Sequence, residues 1–157
     1  MQKRANIDTI GLDFDATVVR GGFPDIEKAV EVPNAIETIK KLIEVGYTLV
    51  LWTCREDQKH IEKRWLQDAV DYLKENDIDI KYINETPEEF EFREEGINRK
   101  IVTDIYIDDR SFPYCGVNWD FIGWLLLEAT DREFNSARRK LNEAPEDFLE
   151  WFSKENT

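Results

Sequence analysis

Four short runs of β-branched and aromatic residues stand out along the chain. They are "IDTIGLD" (7–13), "YTLVLWT" (47–53), "DIKYIN" (79–84) and "IVTDIYI" (101–107). Runs of about four to eight such residues are typical of buried β-strands. The sequence therefore predicts four strands, each rich enough in apolar residues to lie inside a sheet.

The segments between these strands have the periodicity of helices. "PNAIETIKKLIEVG" (33–46) starts with Pro33, ends with Gly46 and places its apolar residues three and four positions apart. Apolar residues recur with the same spacing across residues 57–75. Alternation of strands and helices predicts an α/β fold, in which a three-layer, Rossmann-like parallel sheet is flanked by helices.

The chain after residue 110 is helical in pattern. We predict helices near 119–130, 131–141 and 145–154, the first of them apolar almost all round and buried against the sheet. Their apolar area exceeds what one edge of a small sheet covers, which predicts a homodimer through these C-terminal helices. The alternative is that they fold back on their own sheet as an extra layer. In either case we expect one domain over residues 1–157.

The composition and charge of the chain argue against several classes of protein. The chain has 157 residues and a formal net charge of −13, which argues against a nucleic-acid or anionic membrane surface. No apolar run approaches the ~20 residues of a membrane helix, and no signal peptide precedes the first strand, so we expect a cytoplasmic protein. Cys54 and Cys115, the two cysteines, are expected to be reduced.

Polar residues stand where three of the predicted strands end. Asp13 ends the first strand, Thr53 the second, and Asp108 and Asp109 the fourth, with Asp15 two positions beyond Asp13. In a parallel sheet these carboxyl ends meet at one edge, where ligands bind. Clustered carboxylates need a cation, and an all-oxygen set favours Mg²⁺.

Four motifs in order resemble the haloacid dehalogenase (HAD) superfamily. They are "LDFDATV" (12–18), "LVLWTCR" (49–55), Lys100 in "NRK" and "IYIDDR" (105–110). The resemblance covers residues 7–112, about two thirds of the chain, and is closest to small, capless HAD-like hydrolases. It implies a HAD-like core over about 7–112, a helical extension over about 119–154 and no large cap domain.

The resemblance also implies a role for each motif residue. Asp13 would attack phosphorus and bind Mg²⁺, while Asp15 would give its carbonyl to Mg²⁺ and act as general acid and base. Thr53 and Lys100 would stabilise the phosphoryl group. The second aspartate of the fourth motif aligns with the family's direct metal ligand, so Asp109 would bind Mg²⁺.

Three further positions bear on the site. Asp108 would support the metal through water, and Ala16 stands where the family usually has glycine. Arg55 and Arg110 follow motif residues, and substrate contact or structural ion pairing explains them equally well. Without a cap the site should be open. It would then either act on large or protruding phosphorylated substrates, or take cover from a neighbouring subunit or from its own chain, through the loop "RGGFPD" (20–25) or the C-terminal helices.

The function expected from this resemblance is that of an Mg²⁺-dependent phosphatase. It would hydrolyse a phosphomonoester through an aspartyl-phosphate. One alternative is a phosphotransferase or phosphonate-type hydrolase with the same intermediate, and another is a non-catalytic binding protein on the same scaffold.

Overall fold

The computed structural model describes residues 3–88, 101–111 and 116–143, with the backbone alone at 141–143. The strands are β1 Thr9–Leu12, β2 Val19–Arg20, β3 Val30–Glu31, β4 Thr48–Leu51, β5 Tyr82–Ile83 and β6 Ile105–Ile107. The α-helices are α1 Ala35–Glu44, α2 Trp65–Glu75, α3 Trp119–Gly123 and α4 Asp131–Glu143. Short 3₁₀ turns lie at Ile26–Lys28 and Lys59–Ile61, and a π-helical turn at Trp124–Glu128.

A four-stranded parallel sheet forms the centre of the molecule, in the order β5-β4-β1-β6. The predicted α/β fold, a parallel sheet flanked by helices, is confirmed, and all four predicted strands are present in shorter form. β1 lies between β4, the next sheet strand in the chain, and β6, the last. The strand order therefore reverses at β1, where open α/β sheets bind ligands.

The carboxyl ends of the three adjacent strands are level with one another. The Asp13 N–H donates to the Ile107 carbonyl at 3.0 Å, and the Trp52 N–H donates to the Leu12 carbonyl at 2.8 Å. These bonds extend the ladder one residue beyond β1 and β4. Residues that follow each strand are therefore brought to a common edge.

The core explains why β1 lacks an alternating pattern. All four of its residues are buried, so both faces of the strand are covered. Ile10 and Leu12 belong to one cluster with Ile39 and Leu42 of α1. Apolar contact on both faces holds β1 as the fixed centre from which the edge residues project.

Helix α2 begins later than predicted. The periodicity indicated a helix across 57–75, whereas the helix starts at Trp65. Glu62 has a left-handed backbone with φ of 54°, which interrupts a helix. The Asp57 carboxylate instead accepts hydrogen bonds from the N–H groups of Leu66 and Gln67 at 3.0 and 3.2 Å, which satisfies donors of the first turn.

The helices at 119–143 fold back onto their own chain, as the extra-layer alternative supposed. Trp119 is buried, and the α3 carboxylate of Asp120 accepts a hydrogen bond from Asn34 beside α1 at 2.6 Å. The N-terminal Arg4 donates to the carbonyls of Leu125 and Ala129. The predicted helix at 145–154 lies outside the described residues, and the homodimer stays a prediction.

The structure bears on two expectations, the lack of a membrane-spanning helix and the reduced state of the cysteines. Within the described ranges, no helix combines the length and apolarity needed to cross a bilayer. Cys54 is a free, exposed thiol, and Cys115 falls outside the described residues.

We predict that Gly11→Ala destabilises the protein by about 1–3 kcal/mol, because a β-carbon there would lie 2.7 Å from Cδ1 of Tyr106 on the neighbouring strand. The Tyr106 hydroxyl donates to the Ile101 carbonyl, which holds the ring in place. Chemical denaturation measures the difference. Gly123→Ala is the matched control, since its β-carbon would meet Thr38 only at 3.4 Å; equal losses in both variants would contradict the clash.

Candidate active site

Three carboxylates meet at the carboxyl edge of the sheet. Asp13 follows β1, and Asp108 and Asp109 follow β6, its neighbour. One oxygen from each lies within 4.8 Å of the others. No ion pair in the described part of the chain involves these three side chains. The predicted meeting of strand-end carboxylates is therefore present in the structure.

The environment of Asp13 opposes its negative charge. Burial, above all, and then the nearby carboxylates of Asp108 and Asp109 raise the pKa of Asp13 from its ordinary 3.8 to about 6. Hydrogen bonds from the Phe14 N–H and the Thr17 hydroxyl work in the opposite direction. A bound cation would relieve this penalty, and three oxygen donors suit a hard ion such as Mg²⁺.

Thr17 links the two halves of the cluster. Its hydroxyl donates to Oδ2 of Asp13 at 3.1 Å and accepts from the Asp109 N–H at 3.0 Å. Its carbonyl accepts from Nε1 of the buried Trp119 at 2.8 Å, so the C-terminal helices also fix this turn. Ala16, just before it, has a left-handed φ of 62°, a conformation that glycine adopts without strain.

The two aspartates after β6 are not equivalent. Oδ1 of Asp108 accepts from the N–H of Arg110 at 2.7 Å, so part of its bonding capacity is used within its own turn. The Asp109 carboxylate accepts no hydrogen bond from the described residues. This difference fits Asp109 as the more available metal ligand and Asp108 as the supporting one.

Asp15 is paired with Arg55. Nε of Arg55 donates to Oδ2 of Asp15 at 2.8 Å and Nη2 donates to Oδ1 at 2.7 Å, a two-pronged ion pair. Arg55 is 1% exposed and Asp15 35% exposed. Of the two alternatives for Arg55, the structure contains the ion pair. Substrate contact by Arg55 stays a prediction.

Thr53 sits at the same edge, after β4. Its N–H donates to the Asn84 side chain at 2.8 Å, and its hydroxyl accepts from the Arg55 N–H at 3.2 Å. Asn84 follows β5 and adopts a left-handed backbone. The turn after β4 is thus held from the adjacent strand, which fixes where the Thr53 side chain lies.

The remaining predicted site residues are Arg110 and Lys100. Arg110 is exposed directly after the Asp108–Asp109 pair, where its side chain is accessible to a ligand. Lys100 lies outside the described residues. Its role stays a prediction.

Thr17 and Asn84 organise the site and were not singled out as site residues by the sequence reasoning. The sequence marks both positions: Thr17 belongs to the "LDFDATV" motif, and Asn84 is the polar residue that ends the third predicted strand. Trp119 carried no such signal. Its contact with the Thr17 carbonyl joins segments 102 residues apart.

Comparison with known proteins adds the architecture but no activity. No family model matches the chain. No curated protein matches it either. A solved structure of a conserved protein coded by a locus of Bacteroides thetaiotaomicron is similar, with a TM-score of 0.61 and 27% identity over 82% of this chain and 97% of that one. The likeness supports the α/β fold described above.

We predict that Asp13→Asn stabilises the metal-free protein above pH 6 by about 1–2 kcal/mol, a value reduced for the partial exposure of the carboxyl. A raised folded pKa means that the wild type loses stability as pH rises from about 4 to about 6. Below pH 4 the variant and the wild type should have the same free energy of unfolding, because the Asp13 carboxyl is then neutral. Urea unfolding in chelator measures it, with the exposed Asp79→Asn as control; a gain independent of pH would contradict the burial penalty.

Proposed function

We propose that this protein is an Mg²⁺-dependent, HAD-like phosphatase that hydrolyses a phosphomonoester through an aspartyl-phosphate. The observation that carries the proposal is the carboxylate cluster of Asp13, Asp108 and Asp109 at the sheet edge where the strand order reverses. Asp15 and Thr53 stand at the same edge and complete the motif order of the superfamily. A structural role alone does not account for the Asp13 carboxyl, whose pKa is raised first by burial and then by the nearby carboxylates of Asp108 and Asp109.

The donor set fits Mg²⁺. Asp13 and Asp109 would hold the ion with their carboxylates, Asp15 with its backbone carbonyl, and Asp108 would support it through water. When bound, the cation supplies positive charge that neutralises the carboxylates and the phosphoryl oxygens. The positive charge of a bound cation would offset three carboxylates that stand together beside a buried sheet.

Asp13 is the nucleophile in this proposal. It follows β1, in which all four residues are buried, and the Thr17 hydroxyl donates to its Oδ2. The other oxygen would attack phosphorus, forming a phosphorus–oxygen bond as the bond to the leaving group breaks. Water would then attack the same phosphorus and return Asp13 as a carboxylate, with inorganic phosphate as the product.

Asp15 is the general acid and base. Its position two residues beyond Asp13 lets both carboxyl groups approach one phosphoryl group from the same loop. It would give a proton to the leaving oxygen and later take one from the attacking water. The proton count closes over the cycle, because the proton lost in the first step is recovered in the second.

Thr53, Lys100 and Arg110 would bind the phosphoryl oxygens. The Thr53 hydroxyl would donate to one oxygen from a turn fixed by Asn84. Lys100 and Arg110 would add positive charge. The hairpin that follows Asp15 pairs only Val19–Arg20 with Val30–Glu31, which is short for a cap. The proposed site is therefore an open one that would admit protruding esters.

We predict that Asp13→Asn lowers phosphatase turnover by at least about 10³-fold, because the amide keeps the shape but is a poor nucleophile. A set of phosphorylated metabolites, nucleotides and phosphopeptides with Mg²⁺ measures it, with Asp79→Asn as the matched control. Retained activity in purified Asp13→Asn would exclude Asp13 as the nucleophile. A wild type that hydrolyses none of these esters would refute the proposed function.

We predict that Mg²⁺ raises the melting temperature of the wild type, since a ligand at 100 times its Kd stabilises by about 2.7 kcal/mol. Asp109→Asn should weaken Mg²⁺ binding by at least about tenfold, and Asp108→Asn by less. Calorimetric titration distinguishes them. Unchanged affinity in Asp109→Asn would place the metal elsewhere.

A further inference from the structure

We infer that Arg55 is a positioning residue for the proposed reaction, fixing the acid–base carboxylate of Asp15 and tying it to the loop at Gly22–Phe23. The inference rests on the proposed function and deepens it. It assigns a task to a buried cation that a phosphate-binding role does not explain. Four hydrogen bonds and two aromatic ring contacts of Arg55 carry it.

Four of the five N–H groups of the guanidinium donate to oxygen acceptors. Besides the two bonds to Asp15, Nη2 donates to the Gly22 carbonyl at 2.7 Å and Nη1 donates to the Trp65 carbonyl at 3.2 Å. A group with these partners and 1% exposure has no donor directed to bulk solvent. Arg55 therefore acts on a substrate only through the groups that it holds.

Two aromatic rings fix the position of the guanidinium. Its central carbon lies 5.0 Å from the Phe14 ring centroid and 5.3 Å from that of Phe23. Phe14 packs edge-on against Tyr72 at 5.8 Å, and Phe23 packs against Trp65 at 5.6 Å. The rings are themselves supported, so the arginine has little freedom to turn.

The ion pair orients Asp15 without using all its bonding capacity. A carboxylate has about four lone-pair sites, and the arginine fork uses one on each oxygen. The remaining sites can carry the proton that the reaction transfers. Rotation of the carboxylate would break two charge-assisted bonds at once, so the acid is held in one orientation before substrate arrives.

The same nitrogen joins Asp15 to the loop. Nη2 of Arg55 bonds both Oδ1 of Asp15 and the Gly22 carbonyl. The loop is tightly packed here, since a β-carbon on Gly22 would lie 2.8 Å from the β-carbon of Ala29. Arg55 thus holds both the predicted acid and one of the segments predicted as a cover for the site.

Lysine in place of Arg55 would keep the positive charge but lose the planar arrangement of hydrogen-bond donors. Its ammonium is a compact point charge, which cannot hold both carboxylate oxygens and two carbonyls in the fixed planar pattern of a guanidinium. Arg55→Lys therefore separates positioning from charge. Arg64→Lys is the matched control, because Arg64 forms an ion pair with Asp71 at 3.0 Å that is exposed rather than buried.

The experiment compares kcat/KM for two esters in wild type and variants. 4-Nitrophenyl phosphate has a good leaving group that departs with little help from an acid, whereas a simple alkyl phosphate needs a proton. kcat/KM reports the step in which the leaving group departs. For Arg55→Lys we expect a loss of about 10²-fold on the alkyl ester and under about tenfold on the aryl ester. Asp15→Asn should show the same pattern, and Arg64→Lys should stay near wild type.

The double variant Arg55→Lys/Asp15→Asn should be no slower on the alkyl ester than Asp15→Asn alone, because both changes remove one function. Circular dichroism checks folding. If Arg55→Lys does not fold, Phe23→Leu, which removes one ring beside the guanidinium and leaves the charge pair, should give the same ester dependence with a smaller loss.

Three outcomes would overturn the inference. Equal losses on both esters would mean that Arg55 acts only through stability or phosphate binding. No loss on either ester would mean that Asp15 needs no positioning. A wild type inactive on both esters would refute the proposed function and the inference together, whereas an active wild type with either of the first two patterns refutes the inference alone.

Discussion

The burial of Asp13 beside two carboxylates that repel its charge, at one edge of the sheet, is the constraint on which the rest of this structure depends. Asp13, Asp108 and Asp109 are brought within 4.8 Å because β1 and β6 are adjacent, parallel and end at the same level. Apolar burial of β1 on both faces keeps the strands together against that repulsion. The Thr17 hydroxyl, bonded to one side of the cluster and accepting from the other, lowers the cost further.

Two kinds of negative charge coexist at this edge, and the protein treats them differently. Asp15 is neutralised from within by Arg55, whose bidentate ion pair is supported by aromatic rings. The Asp13 cluster forms no ion pair among the described residues. Burial, and then the Asp108 and Asp109 carboxylates, raise the pKa of Asp13. An internal cation suits a group that must keep one orientation. A bound metal ion suits a group that binds and releases substrate. In the proposed chemistry, Arg55 would therefore orient Asp15, and Mg²⁺ would neutralise the charge at Asp13.

Much of this arrangement could be predicted from sequence because it depends on strand ends. β-branched runs predict the strands, and the first polar residue at the end of each run lies at the shared edge, as Asp13, Thr53 and Asp108 do. Side-chain direction after a strand is not encoded in the same way. Whether Arg55 points to solvent or into the protein depends on the loop at Gly22, a contact between segments 33 residues apart. Periodicity also failed at 57–64, where the left-handed Glu62 interrupts an otherwise helical pattern.

The central claim is that Asp13 carries the phosphoryl group during turnover, and trapping that group tests it most directly. The protein is mixed with Mg²⁺ and a hydrolysed ester, quenched in acid, and treated with borohydride, which reduces an acyl phosphate to an alcohol. Peptide mass spectrometry then shows which aspartates have been reduced to homoserine. The account predicts homoserine at position 13 and at no other aspartate, dependent on substrate. Hydrolysis without any reduced aspartate, or with reduction at Asp15, Asp108 or Asp109 instead, would contradict it.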